Sequence, residues 1–143
     1  MPVSLKRVYE KPTAGDGRRV LVDRLWPRGL RKQEAAIDAW LRDLAPSDAL
    51  RTWYHARPEC WVTFRKRYLA ELGTEKASGA LEELYRIVAG NKRVTLLYAS
   101  RHEDRNNATV LKELLEGMRK PPSASGPQRA AAGRVRARIS RRR

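Results

Sequence analysis

The chain has 143 residues, 41% of them hydrophobic and 33% charged, with a formal charge of +15. That size suits one domain with room for a tail, and it is large enough to bury a core. A single cysteine, Cys60, excludes an internal disulfide framework and fits a reducing compartment. The start, "MPVSLKRVYEKP", has no apolar signal region, and the longest strongly apolar run, Val94 to Ala99, is too short to span a bilayer. A cytoplasmic protein with no membrane contact is the expectation.

The charge is unevenly placed. Residues 119 to 143 hold nine Lys and Arg and no acid, which leaves 22 of the 31 basic residues and all 16 acidic ones in the first 118. The last segment, "RKPPSASGPQRAAAGRVRARISRRR", has too little apolar surface to offset its ordering entropy. The expected organisation is therefore a folded domain over 1–118 and a disordered Arg-rich tail over 119–143. Arg134, Arg136, Arg138, Arg141, Arg142 and Arg143 suit nonspecific contact with nucleic acid by counterion release. A solvated, solubilising tail has the same composition.

In chain order, "SLKRVY" over 4–9 reads as a first strand, and "PTAGDG" over 12–17 as a loop. Val20, Leu21 and Val22 form the short continuous apolar run of a strand buried on both faces. Residues 31–42 place Ile37, Trp40 and Leu41 at helical spacing. Ser47 is an N-cap for a short helix through Leu50, Trp53 and Tyr54. Pro58 opens a longer helix over 58–72, with Trp61, Phe64, Tyr68 and Leu72 inward and Gly73 ending it. A further helix covers 78–89, with Gly90 just beyond it. "RVTLLYAS" over 93–100 is the clearest buried strand, and a helix over 103–118 comes after it. Strands alternating with helices point to an α/β fold, a small, largely parallel sheet covered by helices.

In such sheets ligands bind beyond the carboxyl ends of the strands. Two polar clusters fall there: "DRLWPRG" after one buried strand and "SRHEDRNN" after the other. Asp23 suits acid–base work and Arg24 an anion, although the two together also make an ion pair that ties down a loop. "WPRG" fits a β-turn with Pro27 second and Gly29 fourth, which displays Arg28 at its tip. Trp26 belongs either in the core or as a wall of the pocket. Tyr98, Arg101 and Glu103 end the second strand. Asn106 and Asn107 begin the next helix, where they serve as caps or help hold an anion.

The motifs "VLVDRLWPRGL", "DAWLRDLAPS", "LRTWY", "FRKRYLAEL" and "VTLLYASRHEDRNNATVLKELL" together resemble the YeaO-like family, a branch of the domain-of-unknown-function 488 group, from about Leu5 to Met118. The resemblance implies a small bacterial or archaeal cytosolic protein with an α/β fold, and it brings no reaction with it. The chain departs from the family's usual "YAARDEEHNNA": His102 stands where an Asp is usual and Arg105 where a His is usual. The wider group tends to carry a cysteine near this motif, and here there is none.

The two His, one Cys and scattered acids show no metal-ligand spacing. Neither a dinucleotide nor a Walker loop is present, so no cofactor is expected. No serine elbow or other nucleophile stands out, and Cys60 reads as a packing residue. The leading expectation is a pocket for a phosphate- or carboxylate-bearing small molecule. Arg24, Arg28, Arg101, Glu103 and Asn107 would bind it, with Trp26 and Tyr98 as walls and Asp23 as the acid or base of any reaction. The alternative is a nucleic-acid-associated module using the tail and the basic face Arg65, Lys66 and Arg67. The sequence leaves the oligomeric state open.

Overall fold

The computed structural model describes residues 3–117. The expected boundary at 118 and the tail arginines, Arg134 to Arg143, lie outside them. The strands are β1 (Val3–Arg7), β2 (Arg18–Leu21), β3 (Ala39–Trp40) and β4 (Val94–Tyr98). The helices are α1 (Lys32–Ala35), α2 (Asp48–Ala56), α3 (Trp61–Leu72), α4 (Glu75–Ala89) and α5 (Asn107–Gly117). Two 3-10 turns, Ala14–Asp16 and Arg42–Leu44, complete the connections. A first compact unit ends at Lys112 and a second begins at Glu113. Only the last residues of α5 represent the second among the described residues, and the strand ends that carry the candidate site belong to the first.

The strands form one sheet in the order β1-β4-β2-β3, and every pairing is parallel. β4 is its spine: all five of its residues are buried. It pairs with β1 through Leu5↔Leu96 and with β2 through Val20↔Leu96. The continuous apolar runs of β2 and β4 occupy the two central positions, where both faces are covered. Fully buried Tyr68, Leu44, Leu84, Leu96 and Leu111 fill the interior. A smaller cluster of Val8, Leu21 and Leu97 packs against Trp26, Leu30, Ile37 and Trp40.

The helix expected over 31–42 does not form. α1 stops after four residues at Ala36, which takes the left-handed conformation at φ 48°. Arg19 reaches across and donates to the carbonyls of Ala35 (2.8 Å) and Ala36 (3.0 Å). The chain then pairs with β2, Asp38 N–H donating to Arg19 O and Leu41 N–H to Leu21 O. Trp40 thus lies on an edge strand, because the open side of β2 offers its backbone a ladder that outweighs weak local helical spacing. Three other bounds also move. α3 begins at Trp61, with Pro58 in the turn before it. α4 begins three residues earlier than expected because Thr74 caps it, its hydroxyl accepting from Ala77 N–H. α5 begins at Asn107 rather than 103. Ser47 caps α2 as expected, accepting from Leu50 N–H at 3.1 Å.

Candidate functional site

The apolar run of β2 ends at Val22, and the next side chain, Asp23, turns into the gap between β2 and β4. One carboxylate oxygen accepts from Ala99 N–H at 2.9 Å, just past the end of β4. The other accepts from the Asn107 amide at 3.1 Å, at the start of α5. That amide also donates to Val22 O at 3.0 Å, and Trp40 Nε1 donates to the Asp23 backbone carbonyl at 2.7 Å. Asp23 and Asn107 therefore clasp four segments: the ends of β2, β3 and β4 and the first turn of α5. Burial pushes the Asp23 carboxyl above its ordinary value; the Ala99 and Asn107 bonds and the Arg51 charge oppose this without cancelling it. Tyr68 lies beside the clasp, fully buried, its hydroxyl donating to Leu44 O. Burial, then the charges of Asp23 and Glu71, push its phenol well up, so it stays a neutral donor.

Arg24 turns the other way. Its guanidinium donates to Pro46 O at 3.4 Å, and Nε lies 3.7 Å from Asp48, beyond hydrogen-bond reach. Arg24 Nε is shut off from solvent and has no hydrogen-bond acceptor. Asp48 is itself 72% exposed and also faces Arg51 at 3.8 Å. Arg24 lines a groove of about 750 Å³ with Trp40, Arg42, Asp43, Lys76 and Glu83. Arg42 stacks over the Trp40 ring at 4.7 Å, and Lys76 pairs with Asp43 at 3.6 Å. The groove thus holds three cations and two acids at the carboxyl ends of β2 and β3.

The other expected residues do not line this groove. Trp26 packs edge-on against Trp40, ring centres 5.4 Å apart, and its Nε1 donates to Leu30 O at 2.7 Å. The turn is displaced by one residue from the expected frame. It runs Pro27–Leu30, closed by Leu30 N–H to Pro27 O, with Gly29 third at φ 83°. A glycine in that position defines a type II turn. Arg28 is exposed on it, and its carbonyl accepts from Tyr9 Oη at 3.0 Å. Tyr98 is 3% exposed, and burial raises its phenol, with Glu103 and Glu10 adding to the effect. Arg101 and Glu103 are exposed. Arg7, overlooked in the sequence, holds the loop after β4 by donating to Ala99 O and Ser100 O, both at 3.0 Å.

Sequence reasoning placed Tyr68 inward but missed Arg42, Lys76 and Arg51, since their places depend on how the 3-10 turn at Arg42–Leu44, α2 and α4 pack. It also missed a buried ion cluster in the loop before β2. Asp16 and Arg19, 7% and 4% exposed, pair with each other, and Lys6 reaches Asp16 at 3.0 Å. Burial pushes the Asp16 carboxyl up, but the Thr13 backbone and hydroxyl, Lys6 and Arg19 together pull it well below the usual range. The spacing Asp16–Arg19, three residues apart around a Gly, was the available signal. Trp53, half-exposed on α2, is stacked by Arg67 at 4.4 Å and Arg57 at 5.5 Å. Among the described residues no three of His, Cys, Asp and Glu gather as a metal site, and no helix is long and apolar enough to cross a membrane.

Fold and site together define a small parallel α/β domain with a carboxylate–amide clasp at the ends of its central strands and a charged groove alongside. The chain belongs to the YeaO-like branch of the domain-of-unknown-function 488 group. The family model that matches it, over residues 2–130, is described as the inactive DUF488-N3 subclade. Its relatives include the uncharacterised protein Rv3073c of Mycobacterium tuberculosis, 47% identical over 115 residues, covering 80% of this chain and 94% of that one. YeaO of Escherichia coli is 38% identical over 118 residues, covering 82% of this chain and all of that one. No solved structure matches the chain.

Proposed function

We propose that the domain binds a phosphate- or carboxylate-bearing small molecule in the Arg24 groove, without acting on it chemically. The observation that carries this reading is the meeting of three cations, Arg24, Arg42 and Lys76, in one groove against two acids. The Arg24 side chain is 32% exposed there, and charge-assisted bonds from its outer guanidinium N–H groups to a ligand oxygen are about twice as strong as neutral ones. The groove adjoins the carboxyl ends of β2 and β3, where this fold class binds ligands. Binding without chemistry is supported by Asp23, whose two oxygens already accept bonds from the scaffold. The description of the matching subclade as inactive points the same way. Anionic recognition thus rests on Arg24 with Arg42 and Lys76, rather than on Arg24 with Arg28 and Arg101.

Thermal unfolding in inorganic phosphate and in citrate tests this. At a hundredfold excess over Kd the wild type gains about 2.7 kcal/mol. Arg24→Met abolishes the gain and Arg28→Gln keeps it. A gain that survives Arg24→Met, or none in the wild type with either probe, contradicts the reading. A second activity, nonspecific nucleic-acid contact through Arg134 to Arg143, is favoured by the nine basic and no acidic residues of 119–143.

A further inference from the structure

A second groove lies at the opposite, amino end of the sheet. Its volume is about 470 Å³, and Gly17, Arg18, Asp38, Asn91, Lys92 and Arg93 line it. All six stand just before or at the start of β2, β3 or β4. The first rung of the β2–β4 ladder pairs Arg18 with Val94, and Arg18 N–H donates to the carbonyl of the preceding residue, Arg93, at 2.9 Å.

Three cations meet here against one acid, and that acid is committed: Asp38 accepts from Arg19 N–H at 2.8 Å. The Asn91 amide donates to Ile87 O at 2.8 Å, so it too is engaged by the scaffold. Arg18, Lys92 and Arg93 are exposed, and among the described residues none of their side chains has a hydrogen-bond or ion-pair partner. Three like charges held beside a single carboxylate leave a net positive charge, and the remaining repulsion is relieved by an anion. The backbones that carry them are closely packed. Gly17, at φ 65°, lies so close that an added Cβ would stand 2.2 Å from Arg93 O. The Arg24 groove offsets its three cations with two acids, whereas this one has a single engaged acid, so it favours the more highly charged anion.

We infer that the amino-end groove is a phosphate-group site, taking a phosphate ester or polyphosphate through Arg18, Lys92 and Arg93. The phosphate comes either from a free small molecule or from a nucleic-acid backbone, which offer the same oxygens.

The test is a titration of the full chain, followed amide by amide by NMR, with inorganic pyrophosphate and with a short oligothymidine. Pyrophosphate should shift the amides of Gly17, Arg18, Lys92 and Arg93 saturably. The double variant Arg18→Gln/Lys92→Gln should weaken that binding about tenfold or more, since two charge-assisted contacts are lost. If the oligonucleotide moves the same amides and competes with pyrophosphate, the source is a nucleic-acid backbone; if it does not, the source is a free phosphate compound. Unmoved amides with both probes, or a double variant that binds as well as wild type, overturn the inference. Should the double variant fail to fold, the wild-type shifts decide the matter alone. Because the readout is by residue, binding elsewhere on the chain does not mask the answer, and loss of the Arg24 site would leave it unchanged.

Discussion

Asp16 and Asp23 both leave water on folding, and their surroundings move them in opposite directions. Asp16 faces Lys6 and Arg19 and accepts bonds from Thr13 as well, so its folded value lies below the ordinary 3.8. Its contribution to stability is present above that value and is lost as pH falls through the lower one. Asp23 has two hydrogen bonds and the charge of Arg51 on its side, which burial outweighs, and its folded value lies above 3.8. Its contribution is full below 3.8 and is lost as pH rises through the raised value. Urea unfolding across the acid range should show both signs. Asp16→Asn costs about 3 kcal/mol at neutral pH, as expected for breaking one partner of a buried pair, and the cost shrinks in acid. The cost of Asp23→Asn grows as pH falls. Parallel pH trends for the two variants would contradict this assignment. Asp23 stood out in the sequence because an acid directly followed an apolar run. Asp16 did not, because its partners Lys6 and Arg19 come from two different strands.

Among the elements, the strands and capped helices were legible and the connections were not. The uninterrupted apolar runs of β2 and β4 and the Ser47 cap carry their signal locally. Residues 31–42 do not: Ile37, Trp40 and Leu41 have helical spacing, yet Arg19 captures the carbonyls of Ala35 and Ala36, and the open side of β2 captures residues 38–41. Two glycines show how tightly the connections are fixed. At Gly29 (φ 83°) an added Cβ meets nothing within 4 Å. Gly29→Ala should therefore cost only the left-handed backbone, about 1–2 kcal/mol. At Gly17 the Cβ would overlap Arg93 O at 2.2 Å. Gly17→Ala should thus cost clearly more than Gly29→Ala in equilibrium unfolding, because the β2–β4 ladder must shift at its first rung. Equal losses would mean that the ladder yields freely there.

For the whole molecule, the polar clusters after β2 and β4 were legible in the sequence, but the division of labour among their residues was not. Adjacency in the chain gave no means to tell Asp23, which faces inward, from Arg24, which faces the groove. The lining residues Arg42 and Lys76 arrive from elements 18 and 52 positions further along. The charge excess also divides. Removing residues 119–143 should flatten the salt dependence of nucleic-acid binding, since each cation engaged contributes about 0.7–0.9 to the slope. A truncated chain with unchanged slope would move that activity into the domain.

The central claim is that Asp23 maintains the fold while its neighbour Arg24 recognises an anion. It is tested most directly by thermal unfolding of Asp23→Asn and Arg24→Met side by side, with and without the stabilising anion. Asp23→Asn should lose about 1–3 kcal/mol of stability and keep the anion-dependent gain. Arg24→Met should lose the gain. An Asp23→Asn protein that is as stable as wild type but no longer responds to the anion would contradict the account.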